Sequence, residues 1–324
     1  MSTAATAITA ESILSGDRLG KHVGEGYWAG AFRRLRANRI AAASAVFIIL
    51  LTLTAVLLPE VYPRSYATQN YDAVTQGPSW RFPMGTDQLG RDIFIRLVFG
   101  ARISLTVGFV VQAVILVIGV PAGLVSGYFG GKIDTFLMRI VDVLYAMPSL
   151  LFIIILMTFL RGTLDNNPSG LWKAVANVDG KTGGLIGVYL GLGLIGWLTV
   201  SRIVRANTMS LKEREFAEAA RSIGVPSGRI MFRHILPNTV AAIVVAATLG
   251  IPSAILAEAG ISFLGIGVIP PMPSWGLMIS ESIQQMRVHP YMLIFPALAL
   301  SLTVLAFNFL GDGLRDALDP WMRR

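Results

Sequence analysis

Long apolar runs alternate with short polar segments along most of this 324-residue chain. The first run, from Ile40 to Leu58, holds about nineteen nearly uncharged residues, which is enough to cross a bilayer as a helix. Five more apolar runs follow, at about 103–126, 136–160, 184–204, 238–260 and 290–311. The pattern therefore predicts about six membrane-spanning helices.

A cleaved signal peptide is the alternative interpretation of the first run. Its apolar part would hold about 7 to 15 residues and would precede a small-residue cleavage site. The run observed here is longer, follows a basic cluster at 33–39 and ends at Pro59 without such a site. An uncleaved membrane anchor is therefore favoured.

The composition agrees with a membrane protein. Hydrophobic residues make up 54% of the chain, charged residues 14%, and the mean hydropathy is +0.63, whereas soluble domains carry roughly 25% charged residues. We expect an all-α integral membrane protein. Its expected parts are a tail at 1–32, a first span with its basic flank at 33–60, an outer loop at 61–102, a five-helix core at 103–312 that contains a polar loop at 205–237, and a tail at 313–324.

The distribution of positive charge predicts the orientation. The net charge is +8, but no basic stripe interleaved with aromatic residues indicates a nucleic-acid partner. With the N-terminus inside, the inner segments hold eighteen Lys and Arg residues and the outer segments hold nine. The positive-inside rule then places both termini and loop 205–237 in the cytoplasm. The chain has no cysteine, so disulfides and thiol chemistry are excluded.

Loop 205–237 is polar but has the residues of an ordered structure. Residues 211–222 are mostly good helix formers, and Gly224 stands where a helix C-terminus favours a positive φ. Pro226 suits the first turn of a second helix, and Pro237 suits the first turn of the fifth span. The sequence predicts a short helix, a tight turn, a second short helix and then the membrane.

The first of these short helices has an apolar face. Spacings of three and four place on it Phe216, Ala219, Ala220 and Ile223, with Glu215 and Glu218 alongside. This face could rest on the protein's own helix ends or contact a partner, and the spacing alone leaves both alternatives open.

The same loop resembles the signature of the inner-membrane permease subunits of binding-protein-dependent ATP-binding-cassette (ABC) importers. The resemblance is carried by Glu218-Ala219-Ala220, by Gly224 and by Ile235-Leu236-Pro237. It implies a type I importer permease fold in which residues near 213–234 form a coupling helix that docks into a groove on an ATPase subunit. The coupling residues implied are Glu215, Phe216, Glu218, Ala219, Ala220, Arg221, Gly224, Pro226, Ile235, Leu236 and Pro237.

Other segments resemble one branch of this family, the dipeptide, oligopeptide and nickel permeases. They are 82–92, 100–105, 262–267, 273–276 and 308–320. The resemblance implies the C-type subunit of a permease pair in the cell inner membrane. It also implies a homologous B-type subunit, two ATPase subunits and an extracytoplasmic substrate-binding protein as partners, with membrane lipid around the spans.

The chain itself offers no anchor for an enzymatic function. Gly180-Lys181-Thr182 comes nearest to a phosphate-binding loop, but Val175 occupies the position of its first glycine. The three histidines, at 22, 234 and 289, form no metal-binding motif. We therefore expect no cofactor or metal on this chain, and the resemblance implies that ATP and Mg²⁺ are used by partner subunits.

Charged residues in or near the spans are further candidates. Asp142 follows Arg139 at a spacing that allows a structural ion pair on one helix face. Glu258 falls near the outer end of the fifth span, where it could face the translocation path or cap a neighbouring helix. Asp87 and Arg91 lie in a turn-rich outer segment that could contact the binding protein, gate the outer mouth or form a self-contained cap.

Two other classes of protein stay open from the sequence. A secondary transporter should show internal repeats or paired interrupted helices with buried carboxylates, and no convincing repeat is present. A membrane scaffold would leave loop 205–237 free to bind any cytoplasmic protein. The substrate could be a dipeptide, an oligopeptide, nickel or another small solute.

Overall fold

The structure is a computed structural model, and it describes residues 27–166 and 169–318. Its helices are α1 (Tyr27–Ala37), α2 (Arg39–Val61), α3 (Ile93–Phe129), α4 (Gly131–Ala146), α5 (Ser149–Asp165), α6 (Leu171–Thr182), α7 (Leu185–Lys212), α8 (Glu215–Ser222), α9 (Ser227–Ile230), α10 (Leu236–Phe263), α11 (Trp275–Ser282) and α12 (Tyr291–Leu318). A π-helical segment, Met231–Ile235, joins α9 to α10. No β-strand occurs in these two ranges, and the all-α prediction is confirmed.

Five helical stretches of the described chain are long and apolar enough to cross a membrane. They are α2, α3, α7, α12 and the continuous helix Ser227–Phe263 that contains α10. A sixth is obtained if α4 and α5, which meet at an angle of 90°, count as one broken span. The predicted number of about six membrane spans agrees with the count that includes this broken span.

The span predicted at 136–160 consists of two helices, α4 and α5, that meet at 90°. Met147 adopts an extended conformation, with φ −80° and ψ 133°, and ends α4 just before Pro148. A residue that precedes proline is disfavoured in the helical region, because the proline ring clashes with its backbone and Cβ. The apolar run therefore bends instead of crossing straight.

Three predicted boundaries also differ from the structure. Helix α3 begins at Ile93, ten residues before the predicted span, because the Asp92 carboxylate accepts a hydrogen bond from Phe94 N at 3.0 Å and caps the helix. Helix α1 includes residues assigned to the N-terminal tail, and α12 continues to Leu318, inside the predicted C-terminal tail. The remaining tail predictions, at 1–26 and 319–324, lie outside the described residues.

Helices α3 and α7 pack closely through a row of glycines. Gly119, Gly123 and Gly127 recur every fourth residue and so share one face of α3. A Cβ on Gly123 would lie 2.5 Å from the carbonyl oxygen of Ser201, and one on Gly127 would lie 2.7 Å from that of Arg205. Only glycine permits this approach, which sets the distance between the two helices.

The end of the bundle that holds the α2–α3 connection is closed by polar loops. The Tyr62 hydroxyl and the Arg64 guanidinium both donate to Oδ2 of the buried Asp92, at 2.9 and 2.8 Å. Burial and this carboxylate raise the pKa of Tyr62. The Tyr291 hydroxyl donates to the carbonyl oxygen of Gln76 at 3.0 Å. These contacts hold segment 62–92 across the helix ends.

Candidate coupling site and cleft

Helix α8 is fixed to the end of α7 by a turn and one arginine. Helix α7 ends at Lys212, and α8 starts at Glu215 after a two-residue break. The Arg221 guanidinium donates hydrogen bonds to the carbonyl oxygens of Lys212 and Ala217. A cation at the C-terminal carbonyls of α7 is favoured by the helix dipole as well. The two helices therefore meet in a defined geometry.

The turn after α8 is a Schellman motif, built as the sequence predicts. Gly224 has φ +77°, and its N–H donates to the carbonyl oxygen of Arg221 at 3.0 Å. Val225 N donates to that of Ala220 at 3.1 Å, and both of these side chains pack against the main apolar core. This pair of hydrogen bonds, with glycine in the left-handed conformation, is the standard end of a helix.

The predicted apolar face of α8 is divided between two sides of the helix. Ala217 and Ala220 are buried against the bundle. Phe216, Ala219 and Ile223 are exposed on the other side, Phe216 by 38% and Ile223 by 81%. The prediction that Ala220 shares a face with Phe216, Ala219 and Ile223 was therefore wrong, because Ala220 packs with Ala217 against the bundle. Glu215 and Glu218 are exposed in the first turn.

The chain after the turn connects α8 to α10 without another break. Pro226 is the N-cap residue of α9, one position before the predicted first turn, and Pro237 occupies the first turn of α10 as predicted. Ile235 is fully buried and Leu236 packs against the same core. Helix α8 is thus held between two membrane-spanning helices, α7 and α10.

An ion pair that no sequence motif indicated lies about two turns before the end of α7. Arg205 donates from Nε and Nη2 to the two carboxylate oxygens of Asp134, both at 2.5 Å. The Ser126 hydroxyl, near the end of α3, donates to the same carboxylate. The pair connects α3, α4 and α7 near the end of α7 that precedes α8. Arg205 and Asp134 are 71 residues apart, so local spacing gives no signal for it.

The predicted ion pair between Arg139 and Asp142 is wrong. Asp142 Oδ1 accepts instead from Nη2 of Arg202 on α7, at 2.7 Å. The Arg202 guanidinium also lies over the Tyr145 ring, 4.2 Å from its centroid. Asp142 thus pairs with an arginine of the neighbouring helix α7, and the same guanidinium makes a cation–π contact with Tyr145.

Glu258 is fully buried between α3 and α10. Its carboxyl group accepts from Ser262 Oγ at 2.6 Å and from Ser104 Oγ at 3.3 Å. Of the two alternatives stated above, this geometry corresponds to a contact with a neighbouring helix. Glu258 does not line the cleft described below, so the structure gives no support to the path-facing alternative.

Asp87 and Arg91 belong to an internal charge network. Arg91 pairs with Asp87 at 2.6 Å and with Glu281 at 3.1 Å. Arg96, which is 1% exposed, pairs with Glu281 at 2.7 Å and lies 3.5 Å from Asp87. Segment 85–92 is therefore joined to α3 and α11 by charges that largely satisfy one another. This geometry fits the self-contained cap.

A cleft of about 730 Å³ opens between α3, α5, α7 and α10. None of the described residues that line it is charged. Its walls are mostly apolar, with a few hydroxyl groups from Ser149, Thr199 and Ser253. Helices α7 and α10 precede and follow α8 along the chain. The exposed helix α8 is therefore connected to two of the helices that line the cleft.

Gln112 is the one amide side chain among the residues lining this cleft. It is 4% exposed, and neither of its amide atoms has a hydrogen-bond partner. It packs against Gly250 of α10, where a Cβ would collide with the amide. A buried, unpaired amide is costly, which makes Gln112 a candidate for a functional role that the sequence pattern did not indicate.

A metal site is not formed by the residues within the two described ranges. No group of three or more His, Asp and Glu side chains lies close enough there to hold an ion.

Comparison with known proteins identifies the family. Residues 119–324 match the family described as "Binding-protein-dependent transport system inner membrane component". Residues 26–78 match the "N-terminal TM domain of oligopeptide transport permease C". The two matches include loop 205–237 and the first span.

Three curated relatives are similar over almost their whole length. The dipeptide transport system permease protein DppC of Alkalihalophilus pseudofirmus is 40% identical, over 91% of this chain and 90% of its own. The oligopeptide transport system permease protein OppC of Bacillus subtilis is 39% identical, over 92% and 90%. The glutathione transport system permease protein GsiD of Escherichia coli is 41% identical, over 90% of each chain.

A solved structure shares the fold. It is an inward facing conformation of the MetNI methionine ABC transporter, with a TM-score of 0.52 and 21% sequence identity. The match covers 69% of this chain and 96% of that one. The predicted fold class is therefore confirmed, and the chain belongs to the binding-protein-dependent transport system inner membrane components, the multi-span permease subunits of ABC importers.

Proposed function

We propose that this chain forms one half of the membrane pathway of an ATP-driven peptide importer and carries out no catalysis itself. Its partners in this proposal are a homologous B-type permease subunit, two ATPase subunits that use ATP and Mg²⁺, and an extracytoplasmic binding protein. Both termini and loop 205–237 face the cytoplasm. The relatives named as dipeptide and oligopeptide permeases support the peptide substrate.

The position of α8 carries this proposal. Its exposed side chains, Phe216 and Ile223, form an apolar surface bordered by Glu215 and Glu218. A partner that fits it needs an apolar groove with a basic rim, since apolar burial supplies affinity and charge complementarity supplies specificity. We assign this surface to the ATPase.

The connections of α8 suggest how force reaches the pathway. Arg221 fixes α8 to α7, and the turn at Gly224 with the π-helical segment fixes it to α10. Both helices line the cleft. Movement of the ATPases would therefore displace two walls of the cleft as rigid bodies, which is a common route for alternating access.

The cleft fits a ligand that is held weakly. Its neutral, mainly apolar walls can admit peptides with many side chains, while hydroxyl and amide groups can contact the peptide main chain. Selection would then rest mostly with the binding protein. Glutathione, itself a small peptide, is a second candidate substrate, since relatives named as glutathione permeases are 41% identical.

Reconstitution of the full complex in proteoliposomes tests the proposal. With the binding protein and a labelled dipeptide outside and ATP inside, we expect accumulation that stops when ATP is replaced by a non-hydrolysable analogue. Competition by unlabelled glutathione or by longer peptides would rank the substrates. Accumulation that continues without ATP under a proton gradient would contradict the proposal and favour a secondary transporter.

A further inference from the structure

Helix α1 has two different sides. One side faces the bundle: Ala31 is 5% exposed, and the Arg34 guanidinium donates to the carbonyl oxygen of Ala317 at 2.9 and 2.7 Å. A second side carries Trp28 and Phe32, which are one turn apart and 57% and 67% exposed. Arg36, one further turn along the same side, is exposed as well.

The connection to α2 fixes where α1 lies. Helix α1 ends at Ala37, and the first membrane span starts two residues later at Arg39, with Asn38 as its N-cap. Ala317, the partner of Arg34, lies in the last turn of the final span, α12. Helix α1 therefore lies beside the ends of two candidate membrane-spanning helices, α2 and α12.

We propose that α1 is an interfacial helix that binds the headgroup region of anionic phospholipids. Trp28 and Phe32 enter the boundary between headgroups and acyl chains, where aromatic side chains are favoured. Arg36 and Arg39 contact lipid phosphates. An amphipathic helix with aromatic residues beside basic ones is the usual form of such an anchor.

The exposed side of α1 differs in charge from the surface of α8 that we assign to ATPase binding. The exposed face of α8 carries Glu215 and Glu218, whereas α1 carries Arg36 beside its aromatic pair. A partner that complements the acidic surface would repel the basic one. An anionic membrane surface complements α1 and is already present at its position.

Because the chain has no cysteine, a single introduced cysteine reports on one position. We would place an environment-sensitive fluorophore on Phe32→Cys in the full-length protein in nanodiscs. Ala37→Cys is the matched control, since it is exposed on the same helix and lies half a turn away from Trp28. The probes are lipids with a doxyl quencher at a shallow or a deep acyl position.

The expected result is a blue-shifted emission at position 32 that shallow quenchers reduce more than deep ones, with little effect at position 37. The shift should be larger in phosphatidylglycerol-containing discs than in pure phosphatidylcholine. The Arg36→Gln/Arg39→Gln variant should lose this difference between lipids. The proposal would be overturned if the fluorophore showed equal emission and quenching at positions 32 and 37, or if position 32 were shielded from water without being quenched by lipid. It would also be overturned if the emission shift between the two lipid compositions survived the double substitution. None of these readouts requires transport.

Discussion

Both carboxylate oxygens of Asp134 accept hydrogen bonds from one guanidinium, that of Arg205, at 2.5 Å each. This pair connects α4 to α7 close to α8, the helix that we propose binds the ATPase. Bidentate pairs of this kind are among the stronger polar contacts and fix orientation as well as distance. The pair is therefore expected to keep α7 in register when α8 is displaced.

Loss of the Arg205 guanidinium should destabilise the protein. Arg205→Ala leaves the mostly buried Asp134 carboxylate with only Ser126, and we expect the free energy of unfolding to fall by about 1 to 3 kcal/mol. Arg205→Lys should restore only part of this, since an ammonium cannot form the two parallel hydrogen bonds. The measurement is thermal unfolding in detergent.

The control for this prediction is Arg102→Ala. Arg102 pairs with Glu60 at 3.5 Å, and both side chains are largely exposed, so the change should be close to zero. If Arg205→Ala has the same stability as Arg102→Ala, the pair does not stabilise α7.

Substitution of Gly224 should impair the coupling of ATP hydrolysis to transport more than it impairs insertion of the protein into the membrane. Apart from its two chain neighbours, no residue has an atom within 4 Å of a Cβ at this position, so the cost of a larger residue comes from the backbone conformation. Gly224→Val should cost about 1 to 3 kcal/mol at φ +77° and lower peptide-stimulated ATP hydrolysis. Gly224→Asn is the control, since asparagine tolerates this conformation. Equal activity of the two variants would show that the turn is not required.

The amide of Gln112 should favour transport at a cost in stability. Gln112→Leu removes a buried, unpaired amide, so we expect the protein to be more stable by about 1 kcal/mol and dipeptide uptake to be slower. Thr303→Val is the matched control: its hydroxyl is also buried without a partner, but it does not line the cleft. Unchanged uptake by Gln112→Leu would remove this residue from the pathway.

Local sequence signals predicted local structure well. The positive φ of Gly224 and the helix starts after Pro226 and at Pro237 follow from properties of single residues. The bend at Met147–Pro148 breaks an apolar run in which Pro148 is compatible with either a bend or a continuous helix. A proline inside an apolar run does not by itself predict a bend, because membrane helices tolerate it. Pro121, Pro252 and Pro296 lie inside α3, α10 and α12 of this protein.

Contacts between distant segments could not be predicted in this way. The partner of Asp142 proved to be Arg202, 60 residues away, and not its neighbour on the helix. Ala220 faces the bundle, which spacing along α8 alone did not determine. The cleft and Gln112 depend on the packing of four helices, for which spacing along one helix carries no information.

Crosslinking from α8 tests the central claim, that its outward face binds the ATPase. A photoreactive maleimide would be placed at Phe216→Cys, on the exposed side, or at Ala217→Cys, on the buried side of the same turn. In the assembled complex we predict a crosslink to the ATPase subunit from position 216 that changes in yield when ATP is bound, and none from position 217. Equal crosslinking from both positions, or none from position 216 in a complex that hydrolyses ATP, would contradict the claim.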